Sequence, residues 1–134
     1  MLTPGQRYEK TFSYTQAEVD TFADISGDRN PIHLDADYAA QTPFKRPIIH
    51  GFLGGSIFSR LLGTEFPGEG TIYLEQHLHF KRPMYVDQTY RAVLTVVEVD
   101  PDKHRARLST QVVQDADGKL VIDGEAFVLN TNKI

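Results

Sequence analysis

Asp28 and His33 stand five residues apart in the stretch SGDRNPIHLD, with Asn30 and Pro31 between them. A carboxylate only accepts hydrogen bonds, whereas a neutral imidazole accepts at one nitrogen and donates at the other. Together they can grip one water from two sides and take its proton as its oxygen attacks. On a continuous helix this spacing would turn the two side chains to different faces. On a loop stiffened by Pro31 both can converge on one point. Asn30 then either steers a substrate or holds the loop. A structural account of the same residues is also open, because Asp after a helix often forms an Asx turn and Asn-Pro is a common turn dipeptide. On that account Asp28, Asn30 and Asp35 are turn or cap residues.

A second stretch, RPIIHGFLGGS, sets Gly51 at the expected start of an apolar helix. The first N–H groups of a helix have no partner within it, and the helix dipole adds partial positive charge there. A carbonyl docked at Gly51 would be polarised as in an oxyanion hole. Water held by Asp28 and His33 could then add to the β-carbon of an α,β-unsaturated thioester, with charge building on the carbonyl oxygen. The plainer alternative is that Gly51 only permits tight packing.

Both stretches need elements to position them. KTFSYT reads as a short first strand. TQAEVDTFADIS reads as a helix that begins with a capping box, Thr15 to Glu18, and ends at Gly27. Val19, Phe22, Ala23 and Ile25 form its apolar stripe. DADYAAQT suggests a short helix capped by Asp35, and Pro43 and Pro47 hold the next segment as loop. HGFLGGSIFSRLLG, from His50 to Gly63, is apolar on nearly all sides and therefore reads as a buried helix. Gly51, Gly54 and Gly55 weaken it by ~1 kcal/mol each relative to alanine, which burial must offset; they would let another backbone approach.

TIYLEQHLHFK, TYRAVLTVVEV, RARLSTQVVQ and KLVIDGEAFVLN read as strands of an antiparallel meander. Asp117-Gly118 marks a hairpin turn, and Pro83 a bend between two strands. The sheet face needs a cover, and only the helix from about Gly51 to Leu62 is long and apolar enough. An α+β architecture follows, a curved antiparallel sheet wrapped around one central helix: the hot-dog fold. Its open edges suggest pairing in a dimer.

The 134 residues fit a single domain, 1–134. Hydrophobic residues make up 40% and charged residues 24%, an ordinary globular composition. The absence of cysteine excludes disulfides, thiolate zinc sites and cysteine nucleophiles. With 14 basic and 18 acidic side chains, the net charge of −4 offers no footprint for nucleic acid. No signal peptide or membrane span is expected, which makes a cytoplasmic protein acting on a small molecule the working expectation.

SGDRNPIHLD followed by FKRPIIHGFLGGSIFSRLLG resembles the MaoC-like family, and in particular its (R)-specific enoyl-CoA hydratases. The likeness runs on through PGEGTIYLEQHLHFKRPMYVDQ and covers most of the chain. It implies the hot-dog fold and a homodimer. It implies that Asp28 and His33 are the catalytic pair around one water, that Asn30 shapes the site, that Gly51 polarises the thioester oxygen, and that Ser59 helps hold the pair. The implied reaction is reversible hydration of a trans-2-enoyl-CoA to the (R)-3-hydroxyacyl-CoA, with an acyl-CoA substrate and neither cofactor nor metal. Dehydration on acyl carrier protein, a hot-dog thioesterase and a non-catalytic acyl-thioester binder are the alternatives.

Other residues attract weaker readings. His77 and His79 would share a strand face but lack a third metal ligand. His50 is expected to hydrogen-bond locally and His104 to be solvated. Lys45, Arg46, Arg60, Lys81 and Arg82 are candidates for coenzyme A phosphates. Phe52, Leu53 and Ile57 are candidates for an acyl tunnel.

Overall fold

The computed structural model describes residues 1–134. In chain order the elements are β1 (Arg7–Phe12), α1 (Gln16–Ser26), α2 (Pro31–Leu34), α3 (Ala36–Ala40), α4 (Gly51–Thr64), β2 (Ile72–Phe80), β3 (Tyr90–Asp100), β4 (Arg105–Gln114) and β5 (Leu120–Leu129). The five strands form one antiparallel sheet in the order β1-β3-β4-β5-β2.

Alternation along the strands selects the buried face. Tyr90, Ala92, Leu94 and Val96 on β3, Ala106, Leu108 and Val112 on β4, and Ile122, Ala126 and Val128 on β5 are all buried. They form one cluster with Ile57, Phe58, Leu61 and Leu62 of α4. Each fully buried side chain of this size contributes about 1.5–3 kcal/mol of hydrophobic stabilisation. Truncating Leu61 to alanine would therefore remove ~2–5 kcal/mol. Register shifts between Val96 and Glu98, and between Val112 and Val113, bend the sheet around the helix. The result is the α+β hot-dog arrangement.

Three details depart from the sequence reading. First, the four later strands are not one meander. Only β3, β4 and β5 follow in order, and β2 crosses to the far edge beside β5. The crossover is residues 81–89, where Pro83 keeps the chain from continuing as a strand. Second, Ile25 is 81% exposed, because the one-residue slip from the stripe of Val19 and Ala23 turns it outward at the last turn of α1. Third, side chains rather than a backbone fill the space beside the α4 glycines. A Cβ on Gly54 would stand 2.6 Å from Met84 Sδ, and one on Gly55 3.1 Å from Leu78 Cδ1.

The crossover fixes the start of α4. The Lys81 and Arg82 N–H groups both donate to Val121 O, and Ile49 N–H donates to Met84 O at 2.8 Å. Residues 48–50 are thereby stitched to the segment that runs between the two halves of the sheet.

Candidate active site

α1 ends where the candidate site begins. Gly27 adopts a left-handed conformation with φ 77°, and its N–H donates to Ala23 O. Ser26 Oγ accepts from Asp28 N–H at 3.1 Å, and Asp28 Oδ1 accepts from Asn30 N–H at 3.3 Å. Asn30 then caps α2, accepting from Ile32 N–H, with Pro31 at the first helical position. The stretch read as an irregular loop thus contains one helical turn. Pro31 is at home there because a first-turn N–H has no partner in any case. Asn30 shapes the site by starting the turn that carries His33 and is not among the cleft-lining residues.

His33 is 8% exposed, and its Nδ1 lies 2.7 Å from Ile48 O. A carbonyl only accepts, so Nδ1 carries the proton, and in the neutral ring Nε2 keeps a free lone pair. Ile48 N–H returns a bond to Ile32 O at 3.1 Å, locking α2 to the strap before α4. Burial is the main cause that holds the His33 imidazole below its ordinary acidity range; the Ile48 carbonyl opposes it, the His50 ring adds to it, and the Asp28 carboxylate opposes it.

α4 begins without a side-chain cap. His50 occupies the cap position and makes no capping hydrogen bond, and the first bond of the helix runs from Gly54 N–H to His50 O at 3.0 Å. The N–H groups of the first turn are left for another acceptor. Gly51 lines the same cleft as Asp28 and His33. The cleft measures about 690 Å³, with Phe22, Ile48, Phe80, Met84 and Ile122 among its apolar walls. Gly51 also answers a packing need, since a Cβ there would lie 3.0 Å from the Phe80 ring. The position of Gly51 at the cleft and its contact with Phe80 are thus both properties of this glycine.

The structure brings together Asp28, His33 and Gly51 and does not bring in Ser59. Ser59 is exposed two turns along α4, since eight residues of helix carry it about 12 Å from Gly51. Among the tunnel candidates Phe52 lines the cleft, whereas Leu53 does not and Ile57 is consumed by the core. Lys81 and Arg82 stand at the cleft, while Arg46 sits 4.0 Å over the Tyr85 ring and Arg60 lies 3.9 Å from Glu65. His77 and His79 are exposed on β2. His104 is half-buried in its turn, and its Nδ1 meets Ile134 O at 2.7 Å.

His50 is the residue that sequence reasoning undervalued. Its Nε2 reaches Asp28 O at 2.9 Å across 22 residues of chain. Nothing local in the sequence signals a contact that depends on α1 and α4 meeting. Asp28, His33 and His50 offer one possible metal-ligating atom each within 4.8 Å of one another. The two imidazoles are stacked, however, with centroids 3.8 Å apart and planes only 28° apart. Their in-plane lone pairs run side by side, and each ring already spends one nitrogen on a carbonyl. The trio is not a preformed chelate.

A carboxylate, a buried imidazole and an uncapped helix start in one cleft are the features the resemblance implied, and a sequence profile of the MaoC-like domain matches residues 2–118. The chain belongs to the MaoC-like domain family. It is 44% identical over 127 residues to the (R)-specific enoyl-CoA hydratase of Aeromonas caviae, covering 95% of this chain and 94% of that protein. A solved structure of the (R)-hydratase from A. caviae involved in PHA biosynthesis superposes with a TM-score of 0.92 at 43% identity, covering 96% of this chain and 97% of the other. A mitochondrial 3-hydroxyacyl-[acyl-carrier-protein] dehydratase of Solanum lycopersicum is 34% identical, over 96% of this chain and 78% of its own. No helix of this MaoC-like chain is long and apolar enough to cross a membrane.

Proposed function

We propose that the chain is an (R)-specific enoyl-CoA hydratase, which adds water reversibly to a trans-2-enoyl-CoA. The observation that carries this is the meeting of Asp28, His33 and the open start of α4 at Gly51 in one largely apolar cleft. Water sits between the Asp28 carboxylate and the free Nε2 of His33. Its oxygen bonds to C3 as one of its protons passes to the pair, and a proton is delivered from the pair to C2. The π electrons move toward the thioester, and the growing charge on the carbonyl oxygen is met by the N–H of Gly51. Preorganised donors of this kind act where charge develops and need no rearrangement during the reaction. The relatives named as (R)-specific hydratases support the hand of the product.

Purified protein given crotonyl-CoA should erase the ultraviolet band of the conjugated thioester without releasing free thiol. Thiol release would mean a thioesterase, and an unchanged substrate would leave only a binder. Relatives named as carrier-protein dehydratases favour a second reading for the carrier. Lys81 and Arg82 at the cleft suit coenzyme A phosphates or an acidic carrier, so kcat/KM compared on the two thioesters decides between them.

The same proposal includes a homodimer. β2 is an edge strand that leaves Ile72, Tyr73, Leu74 and Phe80 37–56% exposed. An edge of nine residues with that apolar content asks for a partner strand, and a second copy supplies the same edge reversed. Leu74→Lys should convert a dimer seen by sedimentation into a monomer; a wild-type monomer at micromolar concentration overturns the assignment.

A further inference from the structure

We propose that His50 is a positioning residue whose single imidazole holds the Asp28 backbone and the His33 ring in place at the very residue that precedes Gly51. The inference rests on the proposed hydration. Three separate contacts carry it. The His50 Nε2–H donates to Asp28 O at 2.9 Å, which anchors the carboxylate's own residue. The His50 ring stacks on His33 at 3.8 Å. It also meets Phe22 edge-on, with centroids 4.8 Å apart and planes at 60°.

Packing alone does not account for an imidazole here. His50 is 2% exposed, and its Nδ1 is buried without a hydrogen-bond partner. A phenyl ring could fill the same place against Phe22 and His33 without burying an unpaired nitrogen, which is unfavourable. What the imidazole adds is the one N–H aimed at Asp28. That N–H joins the loop after α1 to the first residue before α4. Without it, Asp28 is fixed only by Ser26 and its own Asx turn, both local to the loop. The ring makes a separate contribution: it supports the face of His33, whose Nδ1 is held by Ile48. His50 therefore sets the distance between the water-binding pair and the helix that receives the charge. It need touch neither substrate nor water to do so.

Two variants separate this role from simple space filling. His50→Phe keeps a flat ring and deletes the N–H. His50→Gln keeps an N–H able to reach Asp28 O and deletes the stack. With crotonyl-CoA, kcat of His50→Phe should fall on the order of 10- to 100-fold, the scale of a small misplacement of reacting groups, with KM changed by less than about 2-fold. His50→Gln should regain part of that loss. Wild-type kcat in His50→Phe overturns the proposal, and so does a proportional rise of KM with no rescue by glutamine. One measurement does not depend on how the variants fold: nitrogen-15 NMR of the wild-type imidazoles must show the proton of His50 on Nε2, and a proton on Nδ1 overturns the proposal. An inactive wild-type enzyme whose His50 still carries its proton on Nε2 would instead count against the hydratase reading and leave the anchor on Asp28 standing.

Discussion

The two long helices of this chain begin in opposite ways. At α1 the Thr15 side chain accepts from Glu18 N–H at 3.2 Å, and Glu18 accepts in return from Thr15 N–H at 2.9 Å. That end is closed on itself and does not line the cleft of Asp28 and His33. At α4 the cap position holds His50, whose side chain turns away to Asp28, and the helix start faces the cleft. The same backbone problem is solved by local chemistry in one helix and left open in the other. An open helix end beside a carboxylate and an imidazole is a stronger functional signal than either feature alone, because an unfilled donor is unfavourable unless something arrives to fill it.

The contrast can be broken most severely at the proposed acid–base pair, Asp28 and His33. Asp28→Asn or His33→Ala should lower kcat for crotonyl-CoA hydration by ~10²–10⁴ while leaving the far-ultraviolet circular dichroism unchanged. Next comes the open end itself. Gly51→Pro deletes the N–H and adds a Cβ against Phe80; proline suits the first position of a helix, and His50, with ψ 135°, is already out of the helical region that a following proline disfavours. A loss of about 10²–10³ in kcat is expected. Gly51→Ala, which displaces Phe80 in the same way but keeps the N–H, should lose far less. Equal effects would mean that the glycine serves packing alone.

A smaller effect concerns pH. Because burial lowers the pKa of His33, the acid limb of kcat/KM should lie below pH 6.5. Below the ordinary 6.5 the unfolded chain binds a proton that folded His33 resists, so acidification from 6.5 toward the folded value destabilises the protein. His33→Gln should flatten part of that slope in the thermal midpoint. The smallest effect lies at the closed end. Thr15→Ala should cost about 1 kcal/mol of stability in urea unfolding and leave kcat unchanged.

Much of this was legible from residue order, and for physical reasons. The capping box, the αL glycine after α1 and the Asp35 cap are local devices, and local devices read directly. The strands of β3, β4 and β5 announced themselves by alternation that matches one buried face. Sheet order did not, because the crossing of β2 is decided by what residues 81–89 pack against and not by their own preferences. Within the site, Asp28 and His33 could be found as a close pair. His50 could not, since its bond to Asp28 spans 22 residues and exists only once two helices meet. Ser59 shows the converse: a motif position can match while its side chain faces out.

The walls of the cleft come from Phe22, from the strap at Ile48 and Ile49, from the crossover at Pro83 and Met84, and from Ile122 near the other end of the chain. A polypeptide emerging from the ribosome has Asp28 and His33 early, yet lacks the chamber around them until the last strand has been made. Turnover would therefore be a report of completed folding, and a chain cut short before β5 would carry the proposed pair in open solvent with nothing to hold a substrate against it.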